Sequence, residues 1–317
     1  MASMHSLETE YRELNAAGLI DEPTTSRAIA LERGEILSLF EEVRFALYAA
    51  VAAIMAGIGI LVKENLEHIG PLTLIITLAV AAAACYGTAI LTHQRHDTRT
   101  IGGDYLLLLG ALIASADWAY AETHYHWLGS HWSWGVLILA AVHAITAYAL
   151  DSRLVLSLAL TTLASWFGIQ GHIQDFFAGE NSLRSSGIQA LSCAATILIW
   201  REIHRRLQLN STFTEVFEHF SMNVAFWGAI ALCSTSGTTL LGLGALMALA
   251  VVSIRKGLNH GLEIFVIYGI SYTALGLCSV EARMLSGLSE ALIELVTIVV
   301  AVILLWRFRH RPKVASA

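Results

Sequence analysis

Between residues 45 and 306, runs of 16 to 21 mostly apolar residues follow one another with only short polar breaks. A helix rises about 1.5 Å per residue and the hydrocarbon core of a bilayer is about 30 Å thick, so runs of this length suit a membrane interior. There the backbone has no water to bond, and each run closes its hydrogen bonds on itself as an α-helix. Ten candidate helices follow, over residues 45–62, 71–91, 103–121, 134–150, 154–169, 185–200, 220–236, 238–254, 264–280 and 288–306. The fifth and sixth reach only about 24 Å and have the least sharply marked ends.

Composition agrees with this reading. Only 14% of the residues are charged, against about a quarter in a soluble domain, and the mean hydropathy is +0.63. The formal charge of −6 hides a segregation along the chain. With the N-terminus inside, Lys63, Arg184 and Arg283 are the basic residues of the outer loops, and the other sixteen of the 19 Lys and Arg face the cytoplasm. Positive charge on the cytoplasmic side is the rule for membrane helices. The chain therefore reads as all-α: a polytopic integral membrane protein with about ten transmembrane helices and both termini cytoplasmic. It divides into an acidic helical segment (1–44), a transmembrane bundle (45–306) and a basic tail (307–317). The opening residues "MASMHSLETEYRELN" show no basic stretch leading into an apolar one. The first membrane helix is then expected to direct insertion into a bacterial inner membrane, with the lipid bilayer as principal partner.

Short basic clusters at "REIHRR" (201–206) and "LLWRFRHRPK" (304–313) anchor helix ends at the cytoplasmic interface. Orientation alone accounts for them, and no nucleic-acid partner is expected. Cys85, Cys193, Cys233 and Cys278 each lie within an apolar run, where thiols act as small hydrophobes. Small residues four apart (Ala49, Ala53 and Gly57; Gly244 and Ala248) mark expected close helix contacts inside the bundle. In the N-terminal segment, Leu7, Tyr11 and Leu14 recur at helical spacing, Gly18 is placed to end that helix, and "DEPTT" restarts the chain. Nine acidic residues against four arginines give this segment a net charge of −5, which disfavours anionic lipid. It is expected to act either as a solvated lid or as a docking site for a protein partner.

Two stretches carry a family resemblance. "LNAAGLIDEPTTSRAIA", followed by a first span ending "AGIGILVKENLEHIG", resembles the bacterial predicted-membrane-protein family catalogued as domain-of-unknown-function family 2157. "LLLLGALIASADWAYAETHYHWLG", followed by "LDSRLVLSLALTTLASWFGI", is similar to that family's Gly-Ala-rich helix, aromatic-His turn and return helix. The resemblance covers roughly residues 10 to 170. It differs at Leu66, where the family pattern has Trp after Asn, and at Glu122, where it has Gln. It implies a short helical N-terminal segment followed by membrane helices, and no activity or cofactor.

No Walker loop, dinucleotide fingerprint or His-Glu-x-x-His appears, no nucleophile–base pair stands out, and neither enzymatic activity nor a cofactor is expected. The aromatic stretch "WAYAETHYHWLGSHWSWG" (118–135) is read as the outer turn of a helical hairpin, its Trp and Tyr at the headgroup layer. Glu122, His124, His126 and His131 lie in this outer loop; the aromatic belt explains the composition, and no metal is expected. Ionisable groups at membrane depth are more telling, because each costs at least about 2.5 kcal/mol to insert and usually faces the bundle interior. Asp117 and Glu294 each stand thirteen residues, about 20 Å, from the inner edge of their spans, taken at Asp104 and Arg307. His143 lies mid-span, and Glu290 is one turn from Glu294. Asp117, His143, Glu290 and Glu294 are expected to line an outward-facing polar cavity of a transporter or channel-like protein for a small solute or ion. The alternative for each acid is to snorkel to the outer interface or to bond a neighbouring helix. The alternative for the whole chain is a non-transporting sensor, scaffold or assembly factor acting through its N-terminal helices.

Overall fold

A computed structural model of the chain describes residues 2–32, 40–65, 70–95, 101–168, 180–208, 212–284 and 288–309. These residues form twelve α-helices and, among them, no strand. One compact unit comprises residues 1–65 and 311–317, the other residues 66–310.

The first unit begins with α1 (Ala2–Ala16) and α2 (Glu22–Glu32), followed by the apolar α3 (Phe40–Asn65). Gly18 takes φ +70° and turns the chain out of α1, a conformation that favours glycine. Asp21 then caps α2, its Oδ1 accepting from the Thr24 N–H at 3.1 Å. The bonds from Thr24 favour the ionised form and hold the Asp21 carboxyl below its ordinary pKa. Asn15 Nδ2 donates to the Ile20 carbonyl at 3.3 Å and to Thr25 Oγ1 at 3.0 Å, which pins α1 to α2. The helix, break and restart expected from Leu7 to Thr25 are thus found.

The second unit contains α4 (Pro71–Arg95), α5 (Ile101–Tyr125), α6 (Trp132–Ala149), α7 (Arg153–Trp166), α8 (Glu180–Arg206), α9 (Phe213–Cys233), α10 (Thr239–His260), α11 (Glu263–Met284) and α12 (Leu288–Arg309). Sequential neighbours pair as α4 with α5, α6 with α7, α8 with α9 and α10 with α11. Helix α9 also packs on α7, α10 and α11, and α12 packs on α11. Buried side chains from α4 to α9, including Leu156, Leu160, Phe213 and Phe217, form one core. Phe226, Ile230, Leu246 and Val280 form a second between α9, α10 and α11.

Among the described residues, seven helices are long and apolar enough to cross a membrane, through Val43–Ile60, Pro71–Thr92, Trp132–Ala149, Phe213–Cys233, Thr239–His260, Glu263–Met284 and Ala291–Phe308. Each of the ten expected spans falls on one of the helices α3 to α12. Helices α5, α7 and α8 stand outside the seven for separate reasons. Asp104, Asp117 and Glu122 make α5 less apolar, α7 has only 14 residues, and α8 is polar at both ends. Hydroxyls within the spans bond mostly to their own helix: Thr77, Thr88, Thr146 and Thr196 each donate to the carbonyl four residues back.

Helix pairs approach closely at glycines, though at different ones from those expected. A Cβ on Gly228 of α9 would come within 3.0 Å of both the Ala190 Cβ and the Gly187 carbonyl of α8, so two facing glycines permit this crossing. Gly244, expected to be an internal contact, instead faces open space, with nothing within 4 Å of a Cβ placed there. A regular spacing of small residues marks a smooth helix face without saying whether a neighbour or lipid covers it.

The helix ends read as cytoplasmic hold more structure than an interfacial anchor needs. Helix α9 starts at Phe213, seven residues before the expected span, and brings Glu218 between Arg201 of α8 and Lys256 of α10. Lys256 Nζ also lies 4.5 Å from the centre of the Phe265 ring. His204 of "REIHRR" is only 1% exposed, stacks on Phe213 and meets the Tyr148 hydroxyl through Nδ1 at 3.0 Å. Glu202 and the two arginines after His204 form the solvated part of the cluster. Arg205 and Arg206 donate to Glu202 and lower its pKa to about 2.

Candidate functional site: a recess beneath the α5–α6 turn

The aromatic stretch folds as a built turn. Helix α5 runs to Tyr125, and the His126 N–H still bonds the Glu122 carbonyl at 2.8 Å. His126 (φ 50°) and Gly129 (φ 50°) are both left-handed, which reverses the chain within a few residues. Histidine is among the non-glycine residues that tolerate this region best. A single 3-10 turn, Gly129–His131, leads into α6. The Glu122 side chain fixes the loop from within, its carboxylate accepting the Leu128 N–H at 3.1 and 3.2 Å. Gly135 lets the first turn of α6 lie against Trp118, since a Cβ there would be 3.0 Å from Trp118 Nε1. Tyr125 stacks on Trp127 at 5.4 Å, and Tyr120 on His124 at 6.2 Å. Trp127, Trp132 and Trp134 are exposed, as headgroup-layer aromatics are.

Beneath this turn lies a recess of about 420 Å³, lined among others by Trp118, Glu122, His126 and Trp132, with Ser115 in its wall. Ser115 Oγ bonds the Ala111 carbonyl at 2.8 Å and lies 2.8 Å from His143 Nε2 on α6. His143 is 1% exposed, and its Nδ1 is buried without a hydrogen-bond partner among the described residues. A buried imidazole with only one ring nitrogen satisfied is costly to keep. It stands directly behind a hydroxyl that the recess reaches.

The sequence-predicted residues divide into separate groups. Glu122 and His126 line the recess, and His143 stands behind it through Ser115. His124 is engaged with Tyr120 and Tyr125, and His131 closes the 3-10 turn. Asp117 is not part of the lining. It lies two turns along from Gly110, whose Cβ position faces Cys85, Ala82 and Tyr86 of α4, so Asp117 shares the α4-facing side of α5. Its Oδ1 is buried without a hydrogen-bond partner among the described residues. Glu294 is on α12, which packs on α11, whereas α5 packs on α4, α6 and α7. Equal depth therefore does not put Asp117 and Glu294 in one cavity. The Glu290 side chain lies outside the described residues. Among those that are described, no three His, Cys, Asp or Glu side chains gather in a metal-ligand group.

Sequence reasoning passed over two participants. Ser115 looks like any small residue of a Gly-Ala-rich helix, and only its position four residues before Ala119, on the recess side, gives a hint. Glu281, near the end of α11, accepts from Thr297 Oγ1 of α12 at 2.9 Å and keeps Oε2 buried without a hydrogen-bond partner among the described residues. Close by in sequence, Arg283 reaches back to Thr239 at the start of α10. Thr297 is one turn from Glu294, so it is α11 that supplies the polar partner on this face of α12.

Residues 12–156 match the model of a family described as predicted membrane protein, DUF2157. The match begins in α1, takes in the whole recess and ends at the first turn of α7. No curated protein and no solved structure matches the chain. Residues 12–156, which hold most of the α1–α2 hairpin, the aromatic turn and the recess beneath it, are thus similar to the predicted-membrane-protein family DUF2157.

Proposed function

We propose that this multi-pass protein spans a bacterial inner membrane about ten times, with both termini inside. In this reading it carries a small solute or ion, which enters from outside through the recess. The observation that carries the reading is the contact of Ser115, in the recess wall, with the buried His143. An ionisable group held below an open recess, at a depth where charge is costly, is an arrangement suited to accepting or passing on a proton. Asp117, one turn or less from Ser115 on α5, and Glu294 are the further ionisable groups at this depth.

The test is proton flux in sealed proteoliposomes containing the purified chain and a trapped pH dye. Flux above protein-free vesicles is expected, reduced about tenfold or more by Ser115→Leu, which fills the recess wall, and by His143→Gln. Asp117→Asn and Glu294→Gln show whether the other acids take part. Equal flux in the wild type, all four variants and empty vesicles would remove the reading.

A second reading, docking through the N-terminal helices, draws on a different observation. The α1–α2 hairpin is a pinned element with Leu19 exposed at its turn and a cavity of about 390 Å³ bordered by Arg12, Asn15 and Ser26. Removing residues 1–32 separates the two: a carrier retains its flux, whereas a sensor or scaffold loses its output.

A further inference from the structure

The recess has a chemical character that narrows what it can hold. Its lining includes one carboxylate, Glu122, the imidazole of His126 and the indoles of Trp118 and Trp132, with no Lys or Arg among the described residues. The Leu128 N–H orients the Glu122 carboxylate, but an amide donor leaves the negative charge in place. An anion would therefore meet repulsion from Glu122 with no permanently charged Lys or Arg to offset it. A neutral solute would strip water from the carboxylate without replacing that interaction. A bare divalent metal wants six or more oxygens or several imidazoles, and no such group is gathered among the described residues. An organic ammonium ion satisfies all of the features together. Its charge pairs with Glu122, its alkyl groups pack against the indoles, and aromatic rings attract such cations. At about 420 Å³ the recess is near the small end of ligand sites, which points to a compact molecule.

We propose that the recess beneath the α5–α6 turn binds a small organic ammonium ion, with Glu122 as the counter-charge and Trp118 and Trp132 as the apolar walls. The proposal rests on the reading of the recess as an entry site, and it adds the class of solute. Ser115, deeper in the wall, is left to meet a hydroxyl or the ammonium hydrogen-bond donors of the bound ion.

The probe is choline, set against its uncharged isostere 3,3-dimethylbutan-1-ol, with the full chain in lipid nanodiscs and binding followed by tryptophan fluorescence and calorimetry. Saturable choline binding is expected, with the isostere at least about tenfold weaker, a difference of about 1.4 kcal/mol. Glu122→Gln, which keeps an oxygen for the Leu128 N–H, is expected to weaken choline about tenfold and to leave the isostere unchanged. Glu281→Gln, on α11, should leave choline binding as in wild type. Absence of saturable choline binding in the wild type, or equal affinity for choline and its isostere, overturns the proposal without reference to any variant. So does a folded Glu122→Gln protein that binds choline as the wild type does. The flux assay keeps the two ideas apart. Flux that depends on Ser115 without choline binding rejects the ammonium class and retains the carrier, whereas choline binding without flux does the reverse.

Discussion

Ser115 and His143 form a buried polar pair whose two halves come from residues 28 positions apart. Each solves a problem for the other. The serine hydroxyl already has the Ala111 carbonyl of its own helix, and the imidazole gives it a second contact while gaining its one described partner. Ser115→Ala leaves Nε2 of a 1%-exposed histidine without that bond. Orphaning a buried polar group costs about 1–3 kcal/mol, and a lower unfolding temperature in detergent should report it. The double variant Ser115→Ala/His143→Leu should recover part of the loss, because the orphaned group is gone. Asp21 gives a pH-dependent prediction at the same scale. Its folded pKa lies below the ordinary carboxylate value, so its contribution is complete above that value and is lost as pH falls through the folded one. The protection of the Thr24 and Thr25 amides against exchange, relative to an unstructured chain at the same pH, should fall on acidification in the wild type. In Asp21→Ala that protection should already be lowered, roughly severalfold, at neutral pH.

Among the elements, α8 and α9 show best what can be read from the chain and what cannot. Both spans were legible, because a long apolar run has few other places to go. Their ends were not. The expected span over 220–236 begins only after Glu215, Glu218 and His219. The structure instead continues the helix and neutralises Glu218 with Arg201 and Lys256, which come from two other helices. Partners 17 and 38 residues away in sequence leave no local signal. Likewise His204 in a basic run reads as solvated, although its bond to Tyr148 spans 56 positions. At the candidate site the turn, its aromatic layer and His143 were readable from residue type and spacing. The grouping of Asp117 with Glu294 was not, because helical depth can be counted along a chain while lateral neighbours cannot. Two stability tests belong here. Gly228→Leu should disrupt the α8–α9 crossing at about 1–3 kcal/mol or more, whereas Gly244→Leu, which meets open space, should stay within about 0.5 kcal/mol. Glu218→Gln should cost about 1.5–3 kcal/mol by leaving two cations without their shared carboxylate, and adding Lys256→Met should restore part of it.

At the scale of the whole molecule, a charge asymmetry, a set of apolar helices and the recess act together. In the proposed topology of ten spans, sixteen basic residues fall on one side and three on the other, and the α5–α6 turn is outside. The α6–α7 turn at Asp151 and Ser152 is then inside, as is the end of α8 at Gln208. In that topology the recess opens on the outer side, with Ser115 in its wall. The most direct measurement replaces the four native cysteines, introduces single cysteines and treats intact cells with a membrane-impermeant thiol reagent. Thr123→Cys and Ser115→Cys should both react from outside, the latter more slowly. Asp117→Cys, on the α4-facing side of α5, should stay silent, and Gln208→Cys, exposed at the end of α8, should react only after the membrane is opened. A Ser115→Cys chain that is unreactive from outside while Thr123→Cys reacts, or one that reacts only from the inside, would contradict the account.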